Sequence, residues 1–207
     1  MLRSTMASIL VATVLAAALL VALAAPASAK KNDPNVELDF RPQQAVGGAE
    51  VQITPNMLRT PVSVTVEDLR PGDDPADIGT RTDNDDRKHT LRAVDKVQPY
   101  LASVVEELLH EWGIQTQDDA SLSLNVILVR FSVLETNRAV GATYEANVQI
   151  SAELTGSAEW SGGASGDATR YGKKFSNDNV NEVLSDAVLE ALASLLSNPG
   201  LHEAWGQ

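Results

Sequence analysis

Apolar and polar residues alternate with period two in several segments of the chain, and this pattern predicts strands. The most regular segment is Thr143–Thr155, where even positions from Tyr144 to Leu154 are apolar and the positions between them are polar. Such a strand belongs to a sheet with one buried and one wet face. Pro61–Asp68 alternates in the same way, whereas Ser121–Leu134 is apolar on both parities and is expected to be central.

Weaker patterns predict the remaining strands. Glu50–Ile53 is expected to form a short first strand. After Gly156 the chain is expected to turn or bulge, and Ala158–Trp160 then resumes the strand. The glycine-rich segment Ser161–Gly166 is expected to form a hairpin loop, followed by a last strand that runs to Lys174.

Helical spacing of apolar residues predicts a first amphipathic helix over Asp95–Trp112. Asp95 and Gln98 have the spacing of a capping box, and Gly113 stands where a glycine ends a helix.

A second amphipathic helix is predicted over Asn179–Ser197, with Asn179 and Glu182 as its capping residues. Leu201–Trp205 is expected to add one last helical turn.

The connection Leu69–Ala93 is too long for an ordinary loop, so it is functional, partly disordered, or hides a short strand. The predicted order β-β-α-β-β-β-α implies the α+β class: a two-layer α/β sandwich with a mostly antiparallel sheet and two helices on one face.

The N-terminal segment has the features of an export signal. Arg3 precedes an apolar run over Ile9–Ala25, and the small residues Ala27-Ser28-Ala29 follow it. We therefore expect a signal peptide at 1–29, a flexible lead-in at 30–48 and a single sandwich domain at 49–207. Cleavage between Ala29 and Lys30 would release the protein into the periplasm or the medium, without stable membrane insertion. The alternative is a retained transmembrane anchor, because 17 residues are at the lower limit for crossing a bilayer.

Charge and cysteine content limit the kinds of partner that we expect. The chain has a formal net charge of -12, which disfavours binding to nucleic acid or to an anionic membrane surface. This charge is typical of a solvated acidic surface or of a surface that binds a basic partner. Cysteine is absent, so neither disulfides nor a lipidated cysteine can form in these residues.

No catalytic or metal-binding motif is complete in the sequence. His110-Glu111 and His202-Glu203 lack the second histidine of H-E-x-x-H. Asp83–Asp86 resembles the start of a calcium loop, but Lys88 and Val94 occupy its sixth and twelfth positions. We therefore predict no catalytic residue, no metal site and no cofactor.

A strand that ends in D-x-R, with Asp68 and Arg70, precedes a G-x-R motif that ends at Arg81. Together with the helix Val104–Trp112, the strand Tyr144–Leu154 and the tail Leu201-His202-Glu203, these motifs resemble the YajG-like family of bacterial envelope lipoproteins. That resemblance implies an envelope location, an α/β sandwich and no known catalysis. It does not extend to the family's lipidation cysteine, which this chain lacks.

The candidate interaction residues are Asp68, Arg70, Arg81, Asp83, Asp85 and Asp86. The first three form either a recognition patch at a strand end or an ion pair that holds the long connection against the sheet.

The predicted function is that of an exported, non-catalytic binding or adaptor module, whose partner is an unknown envelope protein of basic character. The alternative is an envelope enzyme with a site assembled from distant Asp, Glu and His residues. A deep pocket holding two such groups with shifted pKa values would favour the enzyme, and a shallow wet sheet face would favour the module.

Export should remove residues 1–29. Intact-mass analysis of the extracytoplasmic fraction should show a chain that begins at Lys30. A dominant membrane species that retains Met1 would instead support the anchor.

Overall fold

The computed structural model describes residues 35–44, 46, 50–173 and 175–206, and the predicted signal segment lies outside them. In these residues seven strands and three helices follow one another along the chain. The elements in chain order are β1 (Asn35–Val36), β2 (Val62–Asp68), β3 (Asp77–Thr82), β4 (Lys88–Ala93), α1 (Val97–Glu111), β5 (Leu122–Asn137), β6 (Ala142–Gly156), β7 (Trp160–Gly172), α2 (Asn177–Leu196) and α3 (Pro199–Trp205).

The strands form one mixed sheet in the order β1-β4-β3-β5-β6-β7, and β2 pairs with β5 beside β3. The long strands β5, β6 and β7 form an antiparallel meander. Strand β5 has a bulge between Leu128 and Arg130. Before the bulge it pairs in parallel with β2, and after it the same strand pairs in parallel with β3. The predicted α+β class is therefore confirmed, with parallel pairs added to the antiparallel meander.

The helices lie on one face of the sheet. The register aligns Val66 of β2 with Val126, Ala152 and Gly162 on the next three strands, so the side chains of the first three and the Cα hydrogens of Gly162 share one side of the sheet. Helix α1 packs on β2, and α2 packs mainly on β7 and β6. The buried aliphatic side chains of both helices form a continuous core with this side of the sheet. The opposite side, which we call the open face, has no helix among the described residues.

The described part of the predicted lead-in is packed against the domain. Strand β1 pairs in parallel with β4, and Val36 is fully buried. The N–H of Arg41 donates to the hydroxyl of buried Ser185 on α2 at 2.9 Å, and Asn181 Nδ2 donates to the carbonyl of Glu37. Buried polar groups need such partners, so they fix the path of this segment. We call residues 35–44 the strap.

Two strand predictions were wrong, those for residues 50–53 and 161–166. Residues 50–53 form no strand. The long connection after β2 contains the hairpin of β3 and β4, which agrees with the alternative that it hides a strand. Residues 161–166 lie inside β7 and not in a loop. The glycines there serve close packing: a Cβ atom on Gly166 would lie 2.0 Å from the carbonyl oxygen of Ala187 on α2.

The helices were predicted well and their N-terminal caps were not. Helix α1 begins after Lys96 without a side-chain cap, and Gln98 Nε2 donates instead to the carbonyl of Val66 at 2.8 Å. Helix α2 begins after Ser176, so Asn179 lies inside the helix and binds the carbonyl of Lys173. The last turn is confirmed as α3.

The sheet register places adjacent residues of β6 on opposite faces of the sheet. Val148 is fully buried in the core, and Gln149 lies on the open face. Val148→Asp should cost several kcal/mol and abolish cooperative urea unfolding, because it buries an unpaired charge. Gln149→Asp should change the free energy of unfolding by only about 0.5 kcal/mol. Equal effects would contradict the register, since a one-residue slip exchanges the two faces.

Candidate interaction surface

Asp68 and Arg70 form an ion pair at the end of β2. Arg70 Nε and Nη2 donate to the two carboxylate oxygens of Asp68 at 2.8 and 2.7 Å. The guanidinium also donates to the carbonyl oxygens of Pro75 and Asp77. Burial raises the pKa of Asp68, but the hydrogen bonds and charge of Arg70 outweigh it and lower that pKa overall. This geometry matches the structural alternative, in which the pair holds the β2–β3 connection in place.

Arg81 lies on the helix side of β3, beside a carboxylate that the sequence analysis missed. Its Nε atom is 3.7 Å from Oε2 of Glu135, which is fully buried on β5. Its guanidinium lies 4.7 Å from the ring centre of Phe175, whose N–H donates to Glu135 Oε1 at 3.1 Å. The cluster therefore connects β3, β5 and the segment before α2.

Gly79 allows β3 to approach β5 this closely. Its φ is 142°, in a region that favours glycine, and a Cβ atom there would lie 1.8 Å from the carbonyl oxygen of Val133. The G-x-R motif thus combines a close backbone approach at Gly79 with a charge at Arg81 two residues later.

The acidic residues of the β3–β4 hairpin organise their own turn. Asp83 accepts the N–H groups of Asp85 and Arg87 at 2.8 and 3.0 Å, and its Oδ2 is 2.9 Å from Nε2 of His89. The hydrogen bond to His89 is the main reason that the pKa of Asp83 is lowered. Asp86 has a φ of 58°, typical of a tight turn.

The six candidate residues therefore occupy three separate places. Asp68 and Arg70 are brought together, Arg81 is paired with Glu135 instead, and Asp83, Asp85 and Asp86 lie beyond the far end of β3. The geometry explains each as a contact within the fold, and their role as interaction residues stays a prediction.

The open face offers a broader surface. It consists of the outward residues of β2, β5, β6 and β7, which are mainly Ser, Thr, Asn, Gln and acidic residues. An open depression of about 520 Å³ crosses β3, β5, β6 and β7, with Glu145, Asn147 and Asp167 among its lining residues and Leu134 partly exposed beside them. Asp68, Asp83 and Glu135, whose pKa values are shifted, lie outside this depression.

The described residues contain no group of three or more His, Asp or Glu side chains placed to hold a metal ion. Nor does any helix in that part of the chain have the length and apolar character needed to span a bilayer.

The fold is a small α+β sandwich, and the chain belongs to a family described as "Uncharacterized lipoprotein". The model of this family, Lipoprotein_16, matches residues 48–205. This confirms the resemblance to YajG-like proteins and suggests an envelope location. No curated protein matches the chain.

Two solved structures are similar to parts of the chain. One is a protein of the DUF330 family from Xanthomonas campestris, with 11% sequence identity and a TM-score of 0.43; the match covers 83% of this chain and 92% of that one. The other is the PelC dodecamer from Paraburkholderia phytofirmans, with 15% identity and a TM-score of 0.32, covering 67% and 90%. Neither likeness is close enough to argue function.

The buried carboxylate predicts a specific pH dependence of stability. Burial raises the pKa of Glu135, while the Phe175 N–H and Arg81 act in the opposite direction. A raised pKa in the folded state means that the stabilising contribution of Glu135 is fully present below its unfolded value of about 4.5 and is lost as pH rises through the folded pKa.

Urea unfolding across this pH range should therefore show the native protein losing stability relative to Glu135→Gln as pH rises. The loss should be about 1.4 kcal/mol for each unit by which the pKa is raised. Glu145→Gln, an exposed carboxylate change on the open face, is the matched control. If the native protein instead gained stability relative to Glu135→Gln as pH rises, the charge of Arg81 would lower the pKa of Glu135 more than burial raises it.

Proposed function

We propose that this protein is an exported envelope protein that acts as a non-catalytic binding or adaptor module through protein contacts. It would function in the periplasm or outside the cell after cleavage between Ala29 and Lys30. The observation that carries this proposal is the wide, polar open face. It lies opposite the helix layer, and most of its side chains can form hydrogen bonds.

The charged groups with shifted pKa values and their partners are engaged in contacts within the fold. The guanidinium of Arg70 donates to Asp68 and to carbonyl oxygens of the β2–β3 connection. Glu135 lies in the core beside Arg81, and His89 contacts Asp83. The open face in turn is shallow and wet, the arrangement that favours recognition over chemistry.

The charge of the chain favours a basic partner. A formal net charge of -12 attracts cationic surfaces and steers their approach. Within the acidic connection 73–86, Asp73, Asp85 and Asp86 are exposed, and Asp85 pairs with the exposed Arg87 of the same turn. Asp74 and Asp77 instead pair with Arg92 on β4 and hold the connection to that strand. Because an exposed ion pair contributes little to stability, Asp73, Asp85 and Asp86 can be changed with little effect on the fold.

Neutralising these exposed charges tests the proposal. The protein is used to capture envelope proteins, and association of the captured partner is then measured at several salt concentrations. The variant Asp73→Asn/Asp85→Asn/Asp86→Asn should associate several-fold more slowly and with a flatter salt dependence, because rim charges act mainly on the association rate.

The matched control is Glu106→Gln/Glu107→Gln/Glu111→Gln, which removes three exposed acidic charges from α1 instead. This variant should associate almost like the native protein. If both triple variants behave alike, the acidic connection has no special role. If no envelope protein is captured by the native chain under any salt condition, the binding role itself fails.

A further inference from the structure

Strand β7 forms an unusually long edge of the sheet. It ends the strand order and pairs with β6 without a register shift, from Trp160 opposite Leu154 to Gly172 opposite Ala142. Its 13 residues exceed the usual strand length of about 5–6 residues. In the part of the chain that the structure describes, no further strand pairs with the other side of β7, which presents a row of backbone N–H and C=O groups.

The direction of these groups follows from one hydrogen bond. The N–H of Asp167 points away from β6 and donates to Oε2 of Glu190 on α2 at 2.9 Å. Backbone groups alternate in direction along an antiparallel strand, so the odd-numbered residues of β7 direct their N–H and C=O groups to the edge. Ser165 and Thr169, the neighbours of Asp167 in this row, are exposed.

Edges of this kind are usually protected. Proteins blunt them with lysine, proline, bulges or short strands, because an open edge is a template for another strand. Strand β7 has no lysine, no proline and no bulge. The carboxylate of Glu190 accepts from one of these donors, the N–H of Asp167. Because Glu190 is exposed, rotating its side chain away from the edge costs little free energy.

The charges beside the edge favour one kind of occupant. Asp167 and Glu190 lie at its centre, with Asn147 Nδ2 donating to Oδ1 of Asp167 at 2.7 Å, and Glu145 is on the adjacent strand. The positive charge of Arg170 is already engaged by Glu182. A second copy of this chain would bring two acidic edges together, whereas a basic segment would find complementary charge.

We propose that the β7 edge binds an extended basic segment of a partner protein, which adds to the sheet as a further strand. Main-chain hydrogen bonds from the odd-numbered residues of β7 supply the pairing, and Asp167 and Glu190 select for basic side chains. This inference rests on the proposed binding role and names its surface and partner chemistry.

Amide hydrogen exchange of the exported protein, followed by NMR, tests the edge. The probe is a short capped peptide of alternating Lys and Val residues, with its Glu-Val counterpart as the charge control. At saturating Lys-Val peptide, the amides of Ser165 and Thr169 should exchange at least about tenfold more slowly. The even-numbered amides of β7, already paired with β6, should change little, and the Glu-Val peptide should protect neither set.

Two variants at one position separate main-chain pairing from side-chain contact. Thr169→Pro removes an edge-directed donor while leaving the ladder to β6 intact, a change that edge strands tolerate. It should weaken peptide binding about fivefold, the effect of one hydrogen bond. Thr169→Val keeps the N–H and should bind like the native protein. Thermal unfolding of both variants shows that they are folded before binding is compared.

Each other outcome overturns the proposal in its own way. Peptide-induced shifts on the open face without edge protection would leave the binding role standing and refute the edge. If the β7 amides were protected without peptide, and more so at higher protein concentration, the edge would bind a second copy of this chain instead of a basic segment. Equal protection by a Lys-Val peptide methylated on alternate backbone nitrogens would refute main-chain pairing. No protection at any peptide concentration would refute the edge, and capture experiments decide the binding role separately.

Discussion

The bulge in β5 is the constraint on which the rest of the sheet depends. It lies between Leu128 and Arg130, and it lets one strand edge accept β2 on one side of the bulge and β3 on the other. The chain must therefore leave β2, bend outward and return as β3 in the same sheet. Arg70 stabilises that bend with hydrogen bonds to both ends, and its guanidinium lies 5.9 Å from the ring centre of Phe131, just after the bulge. The charged motifs of the sequence are explained by this requirement.

The consequence for function is a division between the two sides of the molecule. Charged groups at the bulge and beneath the helices are paired inside the fold, where changing one partner would leave the other charge uncompensated. The open face and the β7 edge carry polar side chains and backbone groups that face outward. Outward-facing residues on this side can therefore vary without altering the contacts that hold the sheet together.

Periodicity predicted the helices, β2 and β6 because these elements each bury one regular apolar stripe or face, and an apolar run on both parities predicted β5. It missed β3 and β4, whose sequences are polar and which gain their stability from neighbouring strands. Gly166 was mistaken for part of a loop, since only the packing of α2 shows why a glycine is needed there. Glu135 was not predicted as a buried residue because the bulge reverses the pattern of β5. Even-numbered residues are buried before the bulge and odd-numbered residues, including Glu135, after it. That reversal could have been suspected from the apolar run on both parities.

The strap connects the two ends of the domain in a way that affects when the fold can form. Arg41 contacts Ser185, and Gln43 contacts Asp186, across more than 140 residues of sequence. Contacts at such separation form slowly, because a long loop must close before they stabilise anything. Strand β1 can pair with β4 earlier, but the contacts of Arg41 and Gln43 cannot form until α2 is available. If the chain crosses a membrane with its N-terminus first, these strap–α2 contacts form only after nearly the whole polypeptide has crossed.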